Sequence, residues 1–245
     1  MIKKTFKEIN LKNNVWIVGD VHGQYKKLKR LLKEIPKKDT ICFVGDLVDR
    51  GSKSKEIIKL IKRRKFYCVK GNHEELMIDS IKYKNEDAFA LWIRAGGSAT
   101  LYSYMKLKGY DLYRDPNIIE KIKKNKSIMK DIKWLENLPL IIKFSIKNQK
   151  PLYISHSGIE LYKNDKKIIK KNPDYITLWN REKKKEVNFA INIHGHTIRP
   201  KHKIKISKSQ IDIDTGASLN LKQHKNGYGM LTAIEYPTLK KIHIK

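Results

Sequence analysis

Cysteine is scarce: Cys42 and Cys68 are the only two in 245 residues. Both lie inside apolar runs, so a disulfide-stapled scaffold is excluded and the reading is two small buried thiols. If their two strands are parallel neighbours, the thiols share one level of the sheet. Proline and glycine number seven and 13. They form no Pro-rich linker, repeat or low-complexity block, and the expectation is one domain over residues 1–245. No run of about 18 apolar residues exists, which argues against a membrane-spanning helix. The opening Met1-Ile2-Lys3-Lys4 stretch lacks the apolar segment of a signal peptide. These features set the expectation of a cytoplasmic protein with no membrane partner. Acidic residues are also few, 25 against 54 basic ones, a formal charge of +29. Arginine is rarer still among the bases, with eight positions. Lysine is spread over the whole chain, with runs such as Lys183-Lys184-Lys185. Arginine dominates where base edges and phosphates are gripped in pairs of bonds. The charge therefore reads as a lysine-rich solvated surface that draws anionic substrates in, and a nucleic-acid partner is not required.

Three Gly-bracketed clusters stand out: Gly19-Asp20-Val21-His22-Gly23, Gly45-Asp46-Leu47-Val48-Asp49-Arg50-Gly51 and Gly71-Asn72-His73-Glu74. Each follows an apolar run that reads as a buried strand: Val15 to Val18, Thr40 to Val44 and Phe66 to Val69. Each precedes a stretch with helical spacing. Leu28, Leu31, Leu32 and Ile35 mark the first helix, from Tyr25; Ile57, Ile58, Leu60 and Ile61 mark the second, over Lys53 to Lys65. This alternation predicts parallel strands with helical crossovers. The clusters then fall at the carboxyl edge of one sheet, where open α/β sheets bind ligands.

From Glu74 to Asn137 the pattern is helical, broken at Gly96-Gly97. Strand signals return after Pro139. Leu140 to Ile146 is one run; Leu152 to Ile154 leads into Ser155-His156-Ser157-Gly158; Phe189 to Ile193 leads into His194-Gly195-His196. Short runs follow at Ile204, Ile211, Met230 and Ile242, and they predict a second, mixed or antiparallel sheet. The predicted fold class is α/β, with two packed mixed sheets flanked by helices.

A lone Asp or His after a strand is usually a cap or a turn residue. Five loops that each carry Asp, Asn or His behind an apolar strand predict a metal site instead. Carboxylate, imidazole and amide oxygen suit divalent transition metals. Asp20 and His22 can serve one ion, and Asn72, His156 and His196 another. Asp46, on the middle cluster, is the natural bridge between two ions. His194, His202, His224 and His243 are expected to lie outside the ligand set, the last three exposed. Asp214 reads as a structural partner of its loop.

The clusters resemble the signature of the calcineurin-like metallophosphoesterases, and more narrowly the small PPP-type serine/threonine phosphatases of bacteriophage lambda and bacteria. Leu178-Trp179-Asn180-Arg181-Glu182 is similar to the arginine segment of those enzymes. Gly195-His196-Thr197 and Asp212-Ile213-Asp214-Thr215-Gly216-Ala217 resemble their two C-terminal blocks. The resemblance covers nearly the whole chain. It implies a four-layer αββα sandwich and two divalent ions, manganese first, with iron or zinc as substitutes. It implies metal ligation by Asp20, His22, Asp46, Asn72, His156 and His196. It makes His73 the general acid, Asp49 its orienter, and Arg50 and Arg181 clamps on the phosphate. The implied reaction is hydrolysis of a phosphoprotein or other phosphorylated substrate by a hydroxide bridging the metals, without a phosphoenzyme; the sequence itself does not fix the oligomeric state, and a monomer is the expectation. Two rivals share this core: a symmetrical dinucleoside tetraphosphate hydrolase and an RNA 5′-end phosphatase. Gln24, where small relatives often have Cys, and Ser157 after His156 depart from the pattern.

Overall fold

The computed structural model describes residues 5–107, 112, 115–199, 203–219 and 229–245. Strands β1 (Phe6–Leu11), β2 (Val15–Val18), β3 (Thr40–Phe43) and β4 (Tyr67–Cys68) belong to the first part of the chain. β5 (Ile141–Ile146), β6 (Leu152–Ser155), β7 (Ile191–His194), β8 (Lys205–Ile206), β9 (Gln210–Asp212), β10 (Leu231–Tyr236) and β11 (Lys241–Ile244) follow. They form two sheets, ordered β11-β10-β2-β3-β4 and β1-β5-β6-β7-β9-β8. The strands β2, β3 and β4 run parallel, as do β6, β7 and β9. Each trio therefore sends the loops after its strands to one edge of its sheet.

Alternation decides the layers. Val15 and Ile17 face the second sheet and pack with Phe144, Leu152, Ile154 and Ile193. Trp16 and Val18 face the other way, onto Leu28 and Leu31 of α1 (Tyr25–Glu34) and Ile57 and Ile61 of α2 (Ser54–Arg64). A strand buried on both faces needs an unbroken apolar run, which is why β2 reads as one. The outer face of the second sheet is covered by helices Asp165–Lys171 and Asp174–Trp179, through Ile168 and Leu178 against Ile141 and Tyr153. The layers are thus helix, sheet, sheet, helix, as the sequence predicts.

Helices α3 (Asn72–Ile81), α4 (Glu86–Trp92) and α5 (Ser98–Met105) form a cap with helices Ile118–Lys123 and Lys126–Glu136 around Met77, Trp92 and Ile132. Between α4 and α5 the chain makes a wide π-type wind over Ile93–Gly97, with Gly96 at φ +112°. The Gly96-Gly97 pair does break the helix, and it also receives Arg50, whose backbone N–H donates to the Gly96 carbonyl at 3.1 Å.

Two expectations need correction, and one strand was not foreseen. β10 and β11 join the first sheet, β10 pairing antiparallel with β2, and not the second. The unforeseen strand is β1, which carries no strong alternation signal and is a parallel edge partner of β5. Cys42 and Cys68 are both free and buried, but the register sets Cys42 against Tyr67 and Phe43 against Cys68. That one-residue offset puts the thiols on opposite faces of the sheet. Among the described residues no helix is long and apolar enough to cross a membrane.

Candidate metal centre and active site

The two parallel trios meet edge to edge. Asp20, Asp46 and Asn72 follow β2, β3 and β4; His156 and His196 follow β6 and β7. All five, and His22, are 7% exposed or less. Ligand atoms of Asp20, Asp46 and His156 lie within 4.8 Å of one another, as do those of His22, Asp46 and His73. Asp46 belongs to both groups, the position a bridging carboxylate must have.

Hydrogen bonds from the rings' far sides fix how the imidazoles face. His22 Nδ1 donates to the Val48 carbonyl at 2.9 Å and His156 Nδ1 to the Val44 carbonyl at 2.8 Å. Burial holds both rings below the ordinary histidine pKa, with His73 adding to the effect on His22. Each Nε2 is then a bare lone pair. His22 Nε2 faces Asp46 Oδ2 at 3.4 Å. His156 Nε2 faces Asn72 Oδ1 at 2.7 Å and Asp46 Oδ1 at 3.4 Å. His196 Nδ1 stands 3.0 Å from the same Asn72 oxygen, and burial pushes that ring's pKa down to about 3. Lone pairs aimed at lone pairs repel unless a cation lies among them. Carboxylates crowd the same place: burial, then Asp214 and Asp46, push Asp20 well above the usual range. This donor set, with a histidine support of the kind metal ligands have, fits divalent ions.

The backbone is bent to deliver these groups. His22, Asp46, Asp49, Arg50 and His196 all have positive φ, between 44° and 73°. Non-glycine residues rarely take this conformation, and it concentrates at functional sites. Glycines admit the carboxylates: a β-carbon on Gly71 would lie 2.3 Å from Asp46 Oδ1, and one on Gly195 would lie 1.9 Å from Asp20 Oδ1. Glu74 holds the loop from below. Its carboxylate accepts the backbone N–H of Asp46, Leu47 and Gly71, each at 2.8 Å.

His73 is set apart from the other rings. Its Nδ1 donates to Asp49 Oδ2 at 2.6 Å. Burial pushes its pKa down, but Asp46 and the Asp49 bond outweigh burial and raise it above the ordinary value. Its Nε2 faces Arg50 Nη2 at 3.1 Å. Asp49 is itself clamped by Trp92 Nε1 at 2.9 Å and Thr100 Oγ1 at 2.7 Å. Trp92 and Thr100 flank the Gly96-Gly97 pair, and an Asp in a buried loop needing donors was the signal that could have found them.

One cavity of about 360 Å³ is lined by Asp20, His22, Asp46, Arg50, Asn72 and His73, with Trp179, Arg181, His196 and Asp214. Arg181 is thus at the site. Asp214 is buried on its wall and accepts the Gly216 N–H at 2.9 Å, the structural role expected of it. His194 turns away into a neighbouring cavity. His243 is half-buried and not exposed, with its ring 2.9 Å from Thr232 Oγ1. His202 and His224 lie outside the described residues.

A helix–sheet–sheet–helix sandwich that gathers Asp, Asn and His at the joined sheet edges defines the class of metal-binding phosphoesterases. Residues 14–221 match the model of the calcineurin-like phosphoesterases, and the chain belongs to that family. A search of curated protein sequences finds no match. Among solved structures, a putative diadenosine tetraphosphatase superposes with a TM-score of 0.60 at 20% identity, over 97% of both chains. A serine/threonine phosphatase of Saccharomyces cerevisiae gives 0.52 at 16%, over 95% of this chain and 76% of that one. A cold-active protein-tyrosine phosphatase of a psychrophilic Shewanella species gives 0.55 at 17%, over 98% and 82%. At such identities these likenesses describe the fold.

Proposed function

We propose that the chain is a hydrolase of phosphate esters that works with two divalent ions and a histidine acid. The observation that carries this reading is the division among the buried histidines. His22, His156 and His196 are neutral and point lone pairs at Asp46 and Asn72, while His73, held by Asp49, favours its proton. Asp20, His22 and Asp46 would hold one ion, and Asp46, Asn72, His156 and His196 the other. When bound, the ions supply positive charge to phosphoryl oxygens and lower the pKa of water. Arg50, beside His73, turns to the phosphate and offsets charge that grows in the transition state. Arg181 faces it across the cavity. His73 gives its proton to the departing oxygen, and the buried Asp49 keeps the ring in the right tautomer and orientation.

The Asp49-Arg50 pair and Asn72-His73-Glu74 favour phosphoserine or phosphothreonine as the substrate. A second reading, a nucleotide with a phosphoanhydride chain, is favoured by a cation-lined cavity beyond Arg181. The test of the common reaction is p-nitrophenyl phosphate hydrolysis after chelation and re-addition of manganese, iron or zinc. Activity is expected to return with metal and to be abolished in Asp46→Asn, whose fold, read by circular dichroism, is retained. Wild-type turnover by Asp46→Asn overturns the shared-ligand assignment.

A further inference from the structure

Ser157, which follows the proposed metal ligand His156, is one of the two places where the chain departs from the pattern it resembles. Nothing in the chemistry above uses it. The residue is fully buried. Its hydroxyl reaches the end of helix Asp174–Trp179, with the Ile176 carbonyl at 2.7 Å and the Thr177 carbonyl at 3.0 Å. Its backbone N–H donates to the Thr177 carbonyl at 2.9 Å. The last carbonyls of a helix find few partners within it, and here one serine supplies two. The same hydroxyl oxygen accepts the backbone N–H of Asn180 at 3.2 Å. So the loop that delivers His156 grips the point where the chain leaves the helix.

Asn180 carries the tie one residue further. Its Nδ2 donates to the Gly158 carbonyl and to the Glu182 carbonyl, each at 3.1 Å, and its Oδ1 accepts the Glu182 N–H at 3.3 Å. An Asn that accepts the N–H two residues on makes a tight local turn. Arg181 is the middle residue of that turn. On the other side of Asn180, the Trp179 ring stands edge-on to His196, with the centroids 6.1 Å apart. The segment around Arg181 is therefore anchored beside both histidines proposed for the second ion. The Arg181 side chain is exposed and lines the catalytic cavity. Arg50 is held differently, with its backbone on Gly96 and its Nη2 3.1 Å from His73 Nε2. For Arg181 the anchors are on the backbone at either side. A long side chain on a fixed backbone has less freedom to lose when it closes on a ligand.

We propose that Ser157 and Asn180 are positioning residues that set Arg181 for the phosphate, and that they tie this clamp to the loop of His156. The inference rests on the phosphoesterase reading of the site. Neither residue touches substrate or ion; both act through Arg181. With its backbone pinned on both sides, the guanidinium is kept at the cavity, where its planar fork can take two phosphoryl oxygens at once. Without the pins the same side chain starts from a looser segment and grips the phosphate more weakly.

Ser157→Ala removes the hydroxyl alone. The Ile176 carbonyl still accepts the Asn180 N–H at 3.2 Å, and the Thr177 carbonyl still accepts the N–H of residue 157. The fold, read by circular dichroism and Tm, is therefore expected to persist. Asn180→Ala releases Gly158 and Glu182 instead. The probes are manganese, titrated calorimetrically into the protein, and inorganic phosphate, titrated into the manganese-loaded protein. Hydrolysis of p-nitrophenyl phosphate is measured beside them. Each variant is expected to weaken phosphate binding and to raise KM by about three- to tenfold, with manganese affinity unchanged. Arg181→Ala weakens phosphate binding by itself. Adding Ser157→Ala or Asn180→Ala to it should change phosphate affinity by no more than about twofold, because residues that act through one group are not additive. A full second loss in the Arg181→Ala background makes the contacts merely structural and overturns the proposal. Lost manganese affinity in Ser157→Ala puts the effect on His156 and overturns it too, as does unchanged phosphate affinity in both single variants. Non-additive loss of phosphate affinity in a protein that hydrolyses no ester under any metal supports the positioning role and overturns the phosphoesterase reading. Hydrolysis with additive losses does the reverse.

Discussion

His73 and Glu74 are neighbours in sequence with opposite tasks. His73 lines the cavity, and the function proposed above makes it the proton carrier. His73→Asn is expected to lower kcat/KM by about 10²–10⁴-fold for alkyl phosphates, whose leaving oxygen needs a proton. The loss should be smaller for p-nitrophenyl phosphate, and equal losses for both would remove His73 as the acid. Glu74 turns the other way and accepts four buried loop N–H groups. Leaving buried donors unmet costs about 1–3 kcal/mol each. Glu74→Ala is therefore expected to lose about 3 kcal/mol or more in urea unfolding, with metal affinity lost as the Asp46 loop relaxes. Glu74→Gln, which keeps an acceptor, should fall between. The six proposed ligands were legible in sequence because each follows an apolar strand. Glu74, Trp92 and Thr100 were not, because a residue that supports a ligand can sit on any element that passes nearby.

The elements were easier to read than their partners. Periodicity places β2, β3 and the first two helices within about a residue or two of the observed ends. It does not say which sheet a strand joins. β10 carries the same alternation whether it pairs with β2 or with β9, and the choice rests on long-range packing of Ala233 and Leu231 onto α1's layer and of Ile234 and Tyr236 onto the inter-sheet core. The elements most dependent on that core are the facing strands. Phe144 of β5 is fully buried between the sheets. Phe144→Ala is expected to destabilise by about 3–5 kcal/mol. Because Phe144 stands on the buried face and not at the strand edge, kcat at low temperature should be little changed.

The proposed metal centre would join the two halves of the molecule. Asp20, His22, Asp46 and Asn72 come from the first sheet's edge, His156 and His196 from the second's. Ions that bind the folded form alone stabilise it by about 2.7 kcal/mol at a hundredfold excess over Kd. Chelation is expected to lower Tm by about 5–10 °C in a chain of this size, reversed by manganese. An unchanged Tm would mean that the two sheets hold this edge together without ions. The +29 charge is the global property the structure explains least. Its lysines are spread over the surface, with a concentration beside Arg181 that the sequence showed only as the run Lys183-Lys184-Lys185.

The return of β10 to the first sheet bears on how the protein is made. During synthesis the first four proposed metal ligands emerge early, behind strands whose outer neighbour is still about 200 residues away in the chain. Until residues 231–236 leave the ribosome, β2 has an unpaired edge, and such edges invite other chains. The second pair of histidines also emerges late. On the function proposed above, a nascent chain therefore cannot hydrolyse phosphate esters while it is being made, and its period of greatest exposure to aggregation ends with the same step that completes the sheet.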